Sequence, residues 1–342
     1  MSDTKLKPLE TTRRNFMVGT AAAVSTFFIG RSRAHAGDAE ITLKIATVAP
    51  DGTPWSKHMN RLKKRVKEET GGRVKIKPYL GGALGDEQNT LERCVKGGIA
   101  GWAGSTGAFM GLIPEMAALE LPYLFPDVKA ADTILDTHVK ADIERMLDKA
   151  GLKLLFFSEN GHRSLGTNFG FVKSTGDLKG KKIRVQPGDL GNWMLAAMGA
   201  SPQAISVVDT MTALQTGVVE GFDNTPLFTF AASWYQAISH FTLTKHSYQP
   251  AMAVLSKQAW EELPEDVRSI IVGDAQAESE YGRKGVRKIE PDLEANFEAA
   301  GIALHRPSAS EIAAFKKATE SVHKKFTDKF GSTFYKAITK HL

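Results

Sequence analysis

Short apolar runs alternate with longer stretches in which apolar residues recur every three or four positions, and the pattern holds from about residue 41 to 216. Residues 43–48 are a strand candidate ending in the turn Pro50-Asp51-Gly52-Thr53-Pro54, and 56–70 read as a charged helix stopped by Gly71 and Gly72. A second strand covers 74–79, a loop 81–85, a helix 87–96 and a short buried strand 99–103. This βαβα order predicts a parallel or mixed sheet covered by helices. After the segment 119–125, a helix is expected over 128–149 and strands at 153–158, 165–172, 182–186 and 204–208, with helices at 190–198 and 210–216 between them. A second α/β unit therefore begins near residue 160.

The segment 242–256 is β-compatible throughout but carries Pro250. Proline is tolerated at edges and bends rather than in a central ladder, so this long strand is a candidate crossover between domains. From Pro264 to about residue 300 the chain is charged and helical, with Gly273, Gly282, Gly285 and Pro291 as interruptions. A run that long must break or pack along more than one body, and a long helix kinked near Pro291 is expected. Two amphipathic helices follow, at 308–325 and 332–341.

The N-terminus changes the picture of where the chain works. Arg13 and Arg14 precede an apolar stretch from Phe16 to Ile29, and Ala34-His35-Ala36 supplies a small-x-small cleavage site. This is the layout of a twin-arginine secretory signal, with cleavage expected after Ala36 and a periplasmic destination. A membrane anchor would need roughly 20 apolar residues. Residues 1–36 carry six basic side chains against two acidic ones, so removing them takes the formal net charge from +6 to +2. No basic face remains to argue for nucleic acid. The remaining 306 of the 342 residues are about twice the usual domain length, and two domains are expected.

Enzyme motifs are missing. The glycines from Gly97 to Gly107 do not have the spacing of a dinucleotide loop and read as tight packing; Gly176–Lys181 falls one residue short of a phosphate loop and is followed by Lys182 instead of Ser or Thr. The eight histidines left after the leader form no compact ligand spacing, and neither a metal nor a cofactor is expected. Cys94, the sole cysteine, sits beside Leu91 and Val95 on the helical pattern and reads as a buried structural thiol.

Several motifs in order carry a resemblance. Leu80-Gly81-Gly82-Ala83-Leu84-Gly85, Leu121-Pro122-Tyr123-Leu124-Phe125, Asn160-Gly161-His162-Arg163-Ser164-Leu165-Gly166-Thr167-Asn168, Asp177-Leu178-Lys179-Gly180-Lys181-Lys182-Ile183-Arg184-Val185 and Ala213-Leu214-Gln215-Thr216-Gly217-Val218-Val219-Glu220-Gly221 lie between about residues 41 and 250. Together they resemble the extracytoplasmic solute-receptor subunit of TRAP transporters. That resemblance implies an α/β, two-lobed periplasmic-binding-protein fold of type II, with an interdomain cleft and a long C-terminal bracing helix. The lobes expected are 37–160 with about 250–290, and 161–249 with part of 291–342.

The resemblance further implies a receptor that takes a small organic acid in its cleft, does no chemistry, and delivers the ligand to separate TRAP membrane permease subunits. By motif position Arg184 is the ligand-carboxylate arginine, Arg163 a second cationic contact and Asn224 the cleft asparagine. Asp209 and Met211 stand where many members have Glu and Tyr, positions that shape the pocket, and Asp223-Asn224-Thr225-Pro226 has one residue more than the usual E-N-P. Trp55 falls either at the cleft mouth or at the cap of the first helix. Physics supports Arg184 separately: alternation sends Ile183 and Val185 to one face and Arg184 to the other, exposed in an open cleft, and a guanidinium fork bonds both oxygens of a carboxylate. The alternatives are an exported enzyme on the same scaffold with Asp209 or His162 as base, and a ligand-sensing subunit of a signalling system. The ligand's identity, mono- or dicarboxylate, aliphatic or aromatic, stays open, as do the oligomeric state and the permease.

Overall fold

A computed structural model of the chain describes residues 41–342, so the expected leader with Arg13, Arg14 and the cleavage site at Ala36 lies outside the described residues. Among the described residues nine strands make one sheet: β1 (Ile41–Ala46), β2 (Val74–Tyr79), β3 (Gly101–Ser105), β4 (Leu152–Thr167), β5 (Lys182–Val185), β6 (Ser201–Ala204), β7 (Gly221–Asn224), β8 (His240–Ser256) and β9 (Ala303–His305). Their order is β2-β1-β3-β8-β4-β7-β5-β6, with β9 on the side of β8. Strict alternation builds the outer strands: Leu43 and Ile45 are buried around exposed Lys44, and Val74 and Ile76 around exposed Lys75.

Parallel groups stand at the two ends, β1 with β2 and β3, and β5 with β6 and β7. The long antiparallel pair β4 and β8 joins them. β3 pairs with the Ala251–Leu255 end of β8, whereas β7 pairs with the Ser164–Thr167 end of β4, so each long strand serves both halves of a two-lobed sheet. The register of β4 against β8 shifts at Leu154/Phe156, Glu159/Gly161 and Arg163/Leu165, and Gly161 takes a φ of 96°, which only glycine adopts at little cost. The stretches 153–158 and 165–172, read as two strands in the sequence, are thus one bulged strand up to Thr167. The strand expected at 204–208 lies earlier, at Ser201–Ala204, where Lys182 pairs with Ser201.

The helix expected over 128–149 is three pieces, Val128–Thr133, a π turn at Ile134–His138, and Lys140–Lys149. The C-terminal break also differs from expectation. Helix Glu265–Val272 ends at Gly273 with φ 52°, the side chain of Asp274 then accepts from the amide of Ala277 at 2.9 Å, and a second helix runs Ala275–Ala299 through Pro291. Pro291 faces solvent, so the carbonyl it leaves without an amide is open to water. This helix braces both halves: Ser279 Oγ accepts from the amide of Phe157 in the first half at 3.0 Å, while Phe297 stacks on Phe241 in the second. Helix Ala309–Phe330 does the same, with Phe315 among Val185 and Met194, and Val322 and Phe326 in the core of the first half.

Cys94 is fully buried, and burial pushes its thiol up to about 12, which makes it an inert core side chain. Among the described residues no helix is long and apolar enough to cross a membrane, and no cluster of ligating side chains suits a metal ion.

Candidate functional site

The neighbouring strands β4, β7 and β5 bring the charged residues of the site, Arg163, Asp223 and Arg184, together. On β5, Ile183 and Val185 enter the core with Leu165 and Leu195, which turns Arg184 to the opposite face. There it borders a cavity of about 560 Å³ together with Arg163, Asn224, Glu87, Gln186 and Gln249. The expectation of an exposed Arg184 is corrected: only 2% of the residue is accessible. Its guanidinium lies 5.1 Å from the ring centroid of Trp234, and Nε donates to the carbonyl of Ile205 at 2.9 Å. Burial, and next the charge of Arg163, bring its pKa down to about 9.

Arg163 is differently placed. Its Nε donates to Asp223 Oδ2 at 2.7 Å, Nη2 to the Asp223 carbonyl at 2.6 Å, and Nη1 to Gln249 Oε1 at 3.1 Å. Burial opposes the charges of both partners, yet the pair outweighs it: Arg163 is raised and Asp223 held well below the carboxylate range. The Asp of Asp223-Asn224-Thr225-Pro226 is therefore the counter-ion of Arg163. Asn224 follows it on β7, uses Oδ1 to accept from the amide of Thr225 at 2.8 Å, and borders the cavity.

Trp55 turns out to sit in a cavity wall without being the cap. Thr53 caps helix Pro54–Glu69 by accepting from the amide of Ser56, Pro54 fills the first turn, and Trp55 lines an adjoining cavity of about 520 Å³ while its Nε1 donates to the Glu159 carbonyl at 2.8 Å. Asp209 does not join the group. It is exposed ahead of helix Thr210–Gln215 and borders neither cavity, whereas Met211 behind it packs toward the core of Phe222 and Trp234.

Four polar residues central to this site were not picked out by sequence reasoning. Glu87, the first residue of helix Glu87–Val95, accepts from the Ser105 amide at 2.9 Å, the Ser105 hydroxyl at 3.0 Å and Gln186 Nε2 at 3.1 Å. Gln186 Oε1 accepts from Gln249 Nε2 at 3.1 Å, and Gln249 also donates to Glu120 Oε2 at 3.0 Å. This chain of hydrogen bonds runs from the first half of the sheet to the second. Burial raises the pKa of both Glu87 and Glu120. The available signal was Ser247 and Gln249 directly before the apolar run Ala251–Leu255 of β8, since a polar residue buried there must find a partner. Gly104 makes room for Glu87: a Cβ there would stand 2.5 Å from Glu87 Oε1.

His162, on β4 beside this group, is brought down to about 4 by burial first and then by Lys245, Arg287 and His246. Below pH 6.5 the unfolded chain takes up a proton that the folded one refuses. The contribution is complete above pH 6.5 and is lost as pH falls toward 4, worth about 1–3 kcal/mol after allowance for partial solvent contact. Melting curves of wild type and His162→Asn should therefore converge as pH drops from 7 to 4; a constant gap would show that His162 is not the titrating group.

The chain matches the family described as bacterial extracellular solute-binding protein, family 7, over residues 45–329. It is 28% identical over 301 residues, 87% of this chain and 90% of the other, to the C4-dicarboxylate-binding periplasmic protein of Rhodobacter capsulatus. Among solved structures it is similar to a TRAP periplasmic solute binding protein of Ralstonia eutropha H16 with bound (S)-2-acetolactate, at 29% identity and a TM-score of 0.82 over 88% of this chain and 98% of that one. A Citrobacter koseri TRAP solute binding protein with bound D-glucuronate is 30% identical, with a TM-score of 0.81 over 87% and 98% of the two chains.

Proposed function

We propose that this chain, which belongs to the bacterial extracellular solute-binding proteins of family 7, receives a small organic acid with Arg184 as the carboxylate-binding residue. The family consists of solute-binding receptors, and its relatives include a C4-dicarboxylate-binding periplasmic protein and TRAP receptors holding acetolactate and glucuronate. The observation that carries the assignment of Arg184 is its bonding. Among the described residues its Nε alone has a hydrogen bond, to Ile205, and its guanidinium borders the cavity without a carboxylate partner. A carboxylate that entered the cleft would supply the two parallel hydrogen bonds that a buried guanidinium lacks.

In this reading Arg163 is a positioning residue. Its three nitrogens are occupied by Asp223 and Gln249, so it fixes β7, and with it Asn224, beside the cavity. Gln186 ties Glu87 and Ser105 of the first half to Gln249, a contact that forms when the halves approach over a ligand. Export by the twin-arginine route with cleavage after Ala36, delivery to a TRAP permease, and the absence of any chemistry belong to the same proposal. The proposed lobes are 37–160 with about 250–290, and 161–249 with part of 291–342, hinged where β4 and β8 shift register.

The test is a melting-temperature screen of the protein against carboxylic acids, their methyl esters, neutral sugars and amines. A ligand at 100 times its dissociation constant stabilises by about 2.7 kcal/mol, and the free acids alone are expected to do so. A shift produced by a neutral sugar or an amine and by no acid would remove Arg184 from its assigned role.

A further inference from the structure

The cleft continues beyond Arg184. The adjoining cavity of about 520 Å³ shares Val48, Glu87, Asn160 and Phe228 with the first as common walls, so the two are chambers of one space. Their linings differ in kind. Trp55, Met59, Phe156, Met252 and Ala251 turn apolar surface into the second chamber. Its one titratable base, His58, has Nε2 held 3.0 Å from Glu278 Oε2 on the bracing helix.

Charge is distributed unevenly as well. Of the two arginines that border the first chamber, Arg163 is already neutralised by Asp223. At the junction stands Glu87, whose carboxyl is held by Ser105 and Gln186, both uncharged partners. A second carboxylate passing the junction would lose its water with no cation to meet it, beside an acid that burial already disfavours as an anion. A polyol tail would strip most of its hydroxyls of water against walls in which Thr47, His58, Ser158 and Asn160 are the polar exceptions beside Glu87. A hydrocarbon tail meets neither cost and gains by leaving water.

The geometry points to a monocarboxylate with an apolar tail as the ligand: the carboxylate on Arg184 and the tail, branched aliphatic or aromatic, in the chamber of Trp55, Phe156 and Met252. This rests on the reading of Arg184 as the carboxylate-binding residue, and it sets the chain apart from the relatives whose names specify C4-dicarboxylates or sugar acids.

Titration calorimetry with 3-phenylpropanoate, 4-methylpentanoate, propanoate, succinate and D-glucuronate separates the possibilities. One of the first two is expected to bind at least 30-fold more tightly than propanoate, succinate and D-glucuronate, and their methyl esters not to bind. Tightest binding by succinate or D-glucuronate overturns the apolar-tail proposal while leaving the carboxylate reading intact; failure of every acid removes both. One variant addresses the chamber. Ala251→Leu fills it and should weaken the long acids at least 10-fold with propanoate unchanged. Equal losses for long and short acids would count against the chamber. Should Ala251→Leu not fold, Trp55 reports on the wild type: 3-phenylpropanoate should alter a fluorescence component that is absent from Trp55→Phe, and no such change means the tail lies elsewhere.

Discussion

Arg184→Met is expected to weaken binding of the carboxylate ligand at least 30-fold while leaving the empty protein as stable as the wild type or more stable. Removing one partner of a buried charge pair costs about 2–5 kcal/mol in binding, and 2 kcal/mol is about 30-fold in affinity. The unusual half of the expectation is stability. Arg184 is 2% accessible, its pKa is brought down to about 9, and among the described residues no carboxylate bonds it. A cation held below its ordinary pKa destabilises the fold at every pH below that value, and the penalty fades only as pH rises through 9 toward 12.5. At neutral pH that penalty is a few kcal/mol at most, partly offset by the Trp234 face and the Ile205 carbonyl. Methionine keeps much of the volume and carries no charge, so packing is retained and the penalty is relieved. Arg184→Lys should recover only part of the affinity, because an ammonium does not reproduce the fork. Calorimetric titration beside melts of the empty protein checks both halves; near-native affinity in Arg184→Met takes the residue out of the site.

How much of this was legible in the sequence follows from what each signal depends on. The outer strands and the first helices were readable because their burial alternates locally: Lys44 between Leu43 and Ile45, Lys75 between Val74 and Ile76. The C-terminal run was expected as one long helix kinked near Pro291, and its boundary at Gly273 was not read from the sequence. Gly273 at φ 52° and the Asp274 cap decide the real boundary, and Pro291 on the solvent side is tolerated. The continuity of β4 through Gly161 was hidden too, since a bulge is set by the partner strand and not by local composition.

The site divides in the same way. Arg184, Asn224 and Trp55 border the cavities because their position follows from strand alternation or from a turn within a few residues. The role of Arg163 depends on Asp223, which lies 60 residues away in the chain, and that of Glu87 on Gln186, 99 residues away, so neither pairing has a local sequence signature. Asp209 was drawn in by its place before Ala213-Leu214-Gln215, yet an exposed helix start is as good a home for that spacing.

Asp223→Ala should be the most destabilising single change near the site, lowering the unfolding free energy by about 3–5 kcal/mol, the usual effect of leaving one member of a buried ion pair alone. Arg163 would keep its bonds to Gln249 Oε1 and the backbone carbonyl of residue 223 but lose the charge that balances it. Asp223 is held below its ordinary pKa of 3.8, so its contribution is complete above that pH and is lost only as pH falls further, through the lowered value. Replacing both members, Arg163→Met with Asp223→Leu, removes the desolvation of two charges together with their attraction and should restore most of the loss. Urea unfolding of the three proteins at pH 7, followed by two probes to verify a single transition, gives the comparison. Binding then assigns Arg163: as a positioning residue it should cost the double variant less affinity than Arg184→Met costs the wild type. An equal or larger cost would make Arg163 a direct partner of the carboxylate, and an Asp223→Ala protein as stable as wild type would mean that the pair does not hold β4 to β7.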